Sequence, residues 1–205
     1  MKSFRKLLVA IAIILLSLGG VVTLAGIAFI GYFGYSINQA TKPVTDVSRY
    51  PEFVSPDAES ASPLQAHFPR SIPSHAKNVQ LYFVPGFLQG GRILQLRMQL
   101  PADEIQQIQA QFQPLATRQY IPGSDRNSPV TETSPDGVTI TYDYTFYTGD
   151  ANSETASSQP FPEDYAIYVL ADTRGAPEYD WNHPELYGIA INEATSEVVY
   201  WMEDW

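Results

Sequence analysis

The residues best suited to chemistry lie in the short run Asp180-Trp-Asn-His-Pro-Glu185. Two carboxylates and an imidazole within six residues could bind a cation or position a water for hydrolysis. The same composition is typical of a surface loop in which Asp and Asn cap turns and Trp181 packs against the domain. We therefore treat Asp180, Trp181, His183 and Glu185 as candidate binding residues in a loop. A hydrolase that uses carboxylates and His183 is an alternative hypothesis.

A second polar run, from Asp150 to Glu154, places oxygen ligands at alternate positions, as the start of a calcium-binding loop does. The match then ends, because Thr155 stands where such a loop needs glycine and Phe161 stands where it needs glutamate. We retain Asp150, Asn152 and Glu154 as metal candidates of a divalent-cation sensor, although a polar loop is the favoured interpretation. The chain has no cysteine, and its three histidines lack zinc-site spacing, so no cofactor is predicted.

The glycines of the run Gly86-Phe-Leu-Gln-Gly-Gly91 are the nearest approach to a phosphate loop. A phosphate loop requires a helix after the glycines, because the free N–H groups and the positive dipole end of that helix bind the anion. Here the following residues, Arg92 to Leu100, alternate with the period of a strand. We predict that the glycines connect two antiparallel strands. The sequence also lacks a Gly-x-Ser-x-Gly elbow, so a catalytic role is not favoured.

Alternating apolar residues and turn residues predict the elements that must position these groups. A helix is predicted from Pro101 to Phe112, where proline fits the first turn and acidic residues favour the helix dipole. The predicted strands are Val79–Val84, Arg92–Leu100, Val138–Tyr147, Tyr165–Ala171, Tyr187–Ile191 and Glu197–Met202. Short connections favour antiparallel pairing. The expected fold is α+β, a mostly antiparallel sheet of about six strands with one packed helix.

The last predicted strand has apolar residues on both of its faces. Val199 and Trp201 lie on one side, while Val198, Tyr200 and Met202 lie on the other. A central strand covered on both sides would produce this pattern, and so would a surface face that recognises a partner or a glycan. Burial is the favoured interpretation, and Trp201 is retained as a candidate binding residue.

The N-terminal segment is predicted to be a transmembrane signal anchor. No charged residue occurs from residue 7 to residue 37, and Leu7 to Phe33 alone comprises 27 mostly apolar residues. As a helix, this stretch would reach about 40 Å, which exceeds a bilayer core of about 30 Å. A cleaved signal peptide is the alternative, but its apolar region is normally only about 7–15 residues long. Lys2, Arg5 and Lys6 favour a cytoplasmic amino terminus.

The remainder of the chain is strongly acidic. Residues 7–205 carry a formal charge of −13, and Arg174 is the only basic residue from 127 to 205, against fifteen acidic ones. Such a surface repels nucleic acid and anionic headgroups, and it attracts cationic partners. An exported domain with no cysteine and no Asn-x-Ser/Thr acceptor is typical of a bacterial cell envelope.

These observations predict a single-pass membrane protein. The expected order is a cytoplasmic N-terminus (1–6), an anchor in the bilayer (7–37), a Pro/Ser-rich tether (38–66) and an extracytoplasmic α+β domain (67–205). The expected function is non-catalytic: the acidic domain binds a protein or cationic partner, or assists assembly, in the cell envelope.

Overall fold

A computed structural model describes residues 26–37, 42–55, 63–86, 91–122, 130–133, 137, 139–142, 144–148, 157–174 and 184–204. The chain divides into two units, Met1–Thr41 and Lys42–Trp205. In the first unit, helix α1 covers residues 26–37. Within the described part of the chain, no helix combines the length and the apolar character needed to cross a membrane. Residues 7–25 of the predicted anchor lie outside the described residues.

The second unit is built on a six-stranded antiparallel sheet, which confirms the predicted α+β class. Its strands are β1 (Lys77–Val84), β2 (Arg92–Gln99), β3 (Arg118–Tyr120), β8 (Ala166–Asp172), β9 (Glu185–Asn192) and β10 (Glu197–Asp204). Their order across the sheet is β1-β2-β10-β9-β8-β3. Two small antiparallel pairs are β4 (Val130–Thr133) with β5 (Thr139–Tyr142), and β6 (Thr145–Thr148) with β7 (Ser157–Pro160). The glycine-containing link joins antiparallel β1 and β2, as predicted.

The predicted helix forms as α3 (Ala102–Phe112) and packs on the first face of the sheet. Ile105 and Phe112 are buried, because residues seven positions apart lie on one side of a helix. On the same side, the Gln109 amide donates a hydrogen bond of 2.8 Å to the Tyr168 hydroxyl. The first core of the domain lies between α3 and the sheet, and it contains Leu94, Leu96, Met98, Ile189, Ile191, Val198, Tyr200 and Met202.

The tether predicted over residues 38–66 is corrected, because part of it packs into this first core. Helix α2 (Tyr50–Val54) buries Tyr50 and Phe53, which are 0% and 5% exposed. Phe53 stacks on Phe83 with ring centroids 4.0 Å apart, and the Val44 amide donates to the Phe83 carbonyl at 2.7 Å. The folded unit therefore begins at Lys42. Prolines indicated an extended segment, but the spacing of these two aromatic residues gives one turn of helix an apolar side.

The second face of the sheet is covered by the β6–β7 hairpin and the residues next to it. Trp201 is 1% exposed and contacts Tyr144 and Phe161 from this layer. Gln95, also buried, holds the backbone of β6: its amide donates to the Thr145 carbonyl at 3.3 Å and its oxygen accepts from the Tyr147 amide at 3.1 Å. The second core comprises Tyr120, Tyr144, Phe146, Phe161, Tyr165, Ile167, Val169, Leu186, Ala190, Val199 and Trp201.

The single strand predicted over Val138–Tyr147 is wrong, because the chain changes sheets within it. Strand β5 ends at Tyr142 and β6 begins at Thr145, and each pairs with a different partner. The buried rings of Tyr144 and Phe146 belong to the second core. Strands β3, β4 and β7 lie outside the predicted strands, because short polar strands lack the alternation that predicts longer ones.

Gly188 lets two strands and a ring approach closely. A Cβ atom at this position would lie 2.3 Å from the Tyr168 carbonyl oxygen and 2.9 Å from Cζ2 of Trp201. Any side chain would therefore push β8 and the indole away from β9.

We predict that Gly188→Ala lowers the free energy of unfolding by about 2–3 kcal/mol, because overpacking forces backbone and ring to shift. Urea denaturation followed by tryptophan fluorescence measures the effect. The matched control is Gly34→Ala in α1, where an added Cβ meets no atom within 4 Å. Equal stability of Gly188→Ala and the unaltered chain would contradict this packing.

His67 is enclosed by aromatic rings beside the sheet. Its Nε2 lies 3.1 Å from the Trp201 carbonyl oxygen, and its ring stacks on Tyr187 with centroids 5.2 Å apart. Burial lowers the pKa of His67 to about 4, and nearby backbone groups offset only part of that effect. The folded protein therefore holds this imidazole neutral.

The pKa of His67 predicts a loss of stability in mild acid. The unfolded chain protonates this histidine near its ordinary pKa of 6.5, whereas the folded chain protonates it near 4. The contribution of His67 to the free energy of unfolding is therefore fully present above pH 6.5. It falls by about 3 kcal/mol as the pH drops toward 4. Unfolding curves of His67→Phe should lack this loss, and His75→Asn, which keeps His67, should retain it. Parallel pH profiles for His67→Phe and the unaltered chain would refute the assignment.

Candidate functional site: the two ends of the sheet

Most residues singled out in the sequence lie outside the described part of the chain. These are Asp180, Trp181 and His183, with the metal candidates Asp150, Asn152 and Glu154. Glu185 is the first residue of β9, and Trp201 lies in β10. Because Trp201 is buried beneath the β6–β7 layer, it stabilises the core and presents no ring to a partner or glycan. Of the candidate run from Asp180 to Glu185, the structure therefore describes only the C-terminal end.

Thr173 and Glu185 close the base of that loop. The Thr173 amide donates to the Glu185 carbonyl at 3.0 Å, and the Glu185 amide donates to the Thr173 hydroxyl at 2.7 Å. These two hydrogen bonds fix where the chain leaves β8 and enters β9. We call this end of the sheet, where β1, β8 and β10 end, the arginine end, after Arg92, Arg118 and Arg174.

The arginine end contains a buried carboxylate that is contacted by two arginines and a tyrosine. Asp172 has a side chain only 1% exposed, lies 2.9 Å from the Arg174 guanidinium and 3.5 Å from Arg118, and accepts from the Tyr144 hydroxyl at 3.0 Å. Burial alone would raise the pKa of Asp172, but the hydrogen bonds and charge of Arg174 outweigh it and hold that pKa below its ordinary value. Burial, with the nearby Asp172 carboxylate, raises the pKa of Tyr144.

Other acidic residues at the arginine end also have partners. Asp204 lies 2.7 Å from the Arg92 guanidinium, and the Tyr147 hydroxyl lies 3.4 Å from Glu203. In the described ranges, no three His, Asp or Glu side chains converge as a metal site would require. The charges here are arranged to stabilise the ends of strands, since each buried acid is matched by an arginine or a hydroxyl.

The opposite end, which we call the turn end, contains a cleft of about 500 Å³ beside the β9–β10 turn, residues 193–196. Its polar lining consists of His75, Lys77, Gln99, Glu104, Thr195 and Ser196. Leu100 and Pro101 contribute its apolar lining. The cleft therefore combines the volume of a small-molecule site with several convergent polar groups.

Strand pairing brings these residues together. Lys77 at the start of β1 pairs with Gln99 at the end of β2, and Gln99 pairs in turn with Glu197 after the turn. The Leu100 amide donates to the Ser196 carbonyl at 3.0 Å, and the Asn78 side-chain amide donates to the Gln99 side chain at 2.7 Å. The end of β2 is therefore hydrogen-bonded to β1 on one side of the cleft and to the β9–β10 turn on the other.

A buried ion pair supports the turn from the second face. Glu197 is 3% exposed, accepts from the Arg97 guanidinium at 2.7 Å and also accepts from the Tyr165 hydroxyl. In the neighbouring strand β9, the Asn192 side-chain amide donates to Asp164 at 2.6 Å and its oxygen accepts from the Thr195 amide at 3.1 Å. The position of the cleft wall is therefore fixed by the fold.

His75 and Glu104 form the polar centre of the cleft. The His75 Nε2 lies 2.9 Å from the Glu104 carboxylate, and both side chains are partly exposed. Lys77 takes part in no ion pair among the described residues. The sequence patterns did not predict this cleft, because its members are scattered along the chain. The available signal was the β1–β2 hairpin, which must bring the residues before β1 near those after β2.

Comparison of the chain with protein-family models, curated proteins and solved structures gave no match. The function is therefore inferred from the geometry and the charges of the chain itself.

We predict that Asp172→Asn lowers the free energy of unfolding by about 3 kcal/mol, because it removes the carboxylate charge that lies 2.9 Å from the largely buried Arg174 guanidinium. Thermal and urea unfolding measure the change. The matched control is Glu52→Gln, which removes an equally short but exposed ion pair to Arg49 and should cost less than about 1 kcal/mol. Equal effects of the two variants would show that the Asp172 network does not stabilise this end of the sheet.

Proposed function

We propose that this chain is a single-pass membrane protein whose acidic domain, Lys42–Trp205, is a non-catalytic binding or assembly module of the cell envelope. The observation that carries the anchoring proposal is the surface of α1. Its large apolar side chains, from Ile27 to Tyr35, are between 55% and 72% exposed. Aromatic and aliphatic side chains in such number are costly in water and stable in lipid.

The sequence around α1 supports the same proposal. Residues 7–37 carry no charge, and three basic residues precede them, so the positive-inside rule favours a cytoplasmic amino terminus. The domain that follows then lies beyond the cytoplasm.

The charges of the domain support a binding role with a cationic partner. Glu163, Asp164 and Glu193 are exposed, whereas the acids at the arginine end are paired with arginine or tyrosine. An exposed acidic surface accelerates association with basic proteins and repels nucleic acid. The described residues contain a preformed cleft at the turn end, which gives the domain a place to receive a ligand.

Cell fractionation tests the proposal. We expect the full chain to stay in the membrane pellet after alkaline carbonate, and added protease to reach the domain in spheroplasts but not α1. The double variant Val21→Asp/Val22→Asp should release the chain, because each charge in a bilayer costs about 2.5–3.5 kcal/mol and neither remaining apolar stretch of residues 7–37 is long enough to span. Val21→Leu/Val22→Leu is the matched control and should remain in the pellet.

Two results would contradict the proposal. One is a soluble mature chain whose first residue, determined by mass spectrometry, lies near Thr41. The other is turnover of an envelope polymer by the purified full chain that disappears in His183→Ala, which would establish the hydrolase alternative. A binding role instead predicts a basic envelope partner that stays bound at low salt and dissociates at high salt.

A further inference from the structure

The cleft at the turn end has the size and construction of a small-molecule site. Its volume of about 500 Å³ falls within the roughly 300–1,000 Å³ of typical ligand pockets. Its walls come from the residues before β1, the end of β2, the first turn of α3 and the β9–β10 turn. Hydrogen bonds across the end of β2 hold these segments together, so the cleft is formed before any ligand arrives.

The cleft contains opposite charges that do not pair with one another. The Lys77 ammonium has no ion-pair partner in the described residues, while the Glu104 carboxylate contacts His75. Glu104 bonds His75 through one oxygen, Oε1, and a carboxylate accepts several hydrogen bonds. A ligand with one anionic and one cationic group would complement both side chains.

Other ligand classes fit less well. Among the described residues, no Phe, Tyr or Trp lines the cleft, although sugars and nucleobases are commonly bound by stacking on such rings. A simple anion would meet Glu104 in an acidic domain, and a simple cation would meet Lys77. A metal is disfavoured because the described side chains offer no cluster of three ligands.

We propose that this cleft binds a zwitterion of the amino-acid class, either a free α-amino acid or a short peptide. Its carboxylate contacts Lys77 and the Ser196 hydroxyl, its ammonium contacts Glu104, and its side chain lies along Leu100 and Pro101. The inference rests on the proposed binding role of the domain and is independent of the anchor.

The backbone of Ser196 supports this assignment. Its φ is 53°, in the left-handed region that favours glycine over residues with a Cβ. Glycine would fit this turn with less strain, yet the position holds a serine, and this residue lines the cleft. Strain of this kind is retained at binding sites when the side chain is needed there.

Isothermal titration calorimetry on the full chain in detergent micelles tests the proposal. Alanine or alanyl-alanine should bind saturably, and comparison of the two identifies the source of the zwitterion. N-acetylalanine lacks the ammonium and alaninamide lacks the carboxylate, so each should bind about tenfold more weakly. Lys77→Gln and Glu104→Gln should weaken binding of the preferred zwitterion by about the same factor. Arg70→Gln, an exposed cation outside the cleft, should leave it unchanged.

Ser196→Gly separates binding from folding. This variant should unfold at the same or a higher temperature, since it relieves the backbone, while its affinity for the zwitterion falls. The proposal is overturned if neither alanine nor alanyl-alanine gives saturable heat, or if Lys77→Gln binds as tightly as the unaltered chain. Either result would leave the fractionation test of the membrane anchor unaffected.

Discussion

The central constraint on this domain is that both faces of its sheet are apolar along β10 and must be kept from water. Val198, Tyr200 and Met202 fill the first face, and Val199 and Trp201 fill the second. One helix cannot cover two faces, so the chain supplies a layer on each side. Helices α2 and α3 cover the first face, and the β6–β7 hairpin covers the second. Burial on this scale supplies the dominant favourable term in folding.

Polar groups inside this three-layer arrangement determine how the layers fit. Gln95 is buried where an apolar side chain would be ordinary, and its two hydrogen bonds set the position of β6 over the sheet. Glu197 with Arg97, and Asp172 with Arg174, do the same at opposite ends of the sheet. Such pairs add little net stability compared with apolar packing, but they disfavour alternative arrangements that would leave a buried charge alone.

Periodicity was sufficient to predict the main sheet and the principal helix, because a long apolar alternation fits few structures besides a strand with one buried face. The terminal hairpin and the two-sided burial of β10 follow directly from its residues. The break between β5 and β6 could not be predicted, because the residues on both sides of it follow the same alternation. Only the packing of Tyr144 and Phe146 into the second core reveals it. The packing of Tyr50 and the cleft around Glu104 depend on contacts between distant segments, which no local pattern contains. The membrane anchor stays a prediction.

The position of β10 has a consequence for how the chain matures. This strand follows every other described strand in the sequence, yet it lies between β2 and β9 in the sheet. Until residues 197–204 emerge, those two neighbours expose unsatisfied backbone edges, and the hairpin β1–β2 has nothing to join it to β8–β9. Ribosome-bound chains that lack β10 would therefore remain open, which exposes them to misassembly with one another.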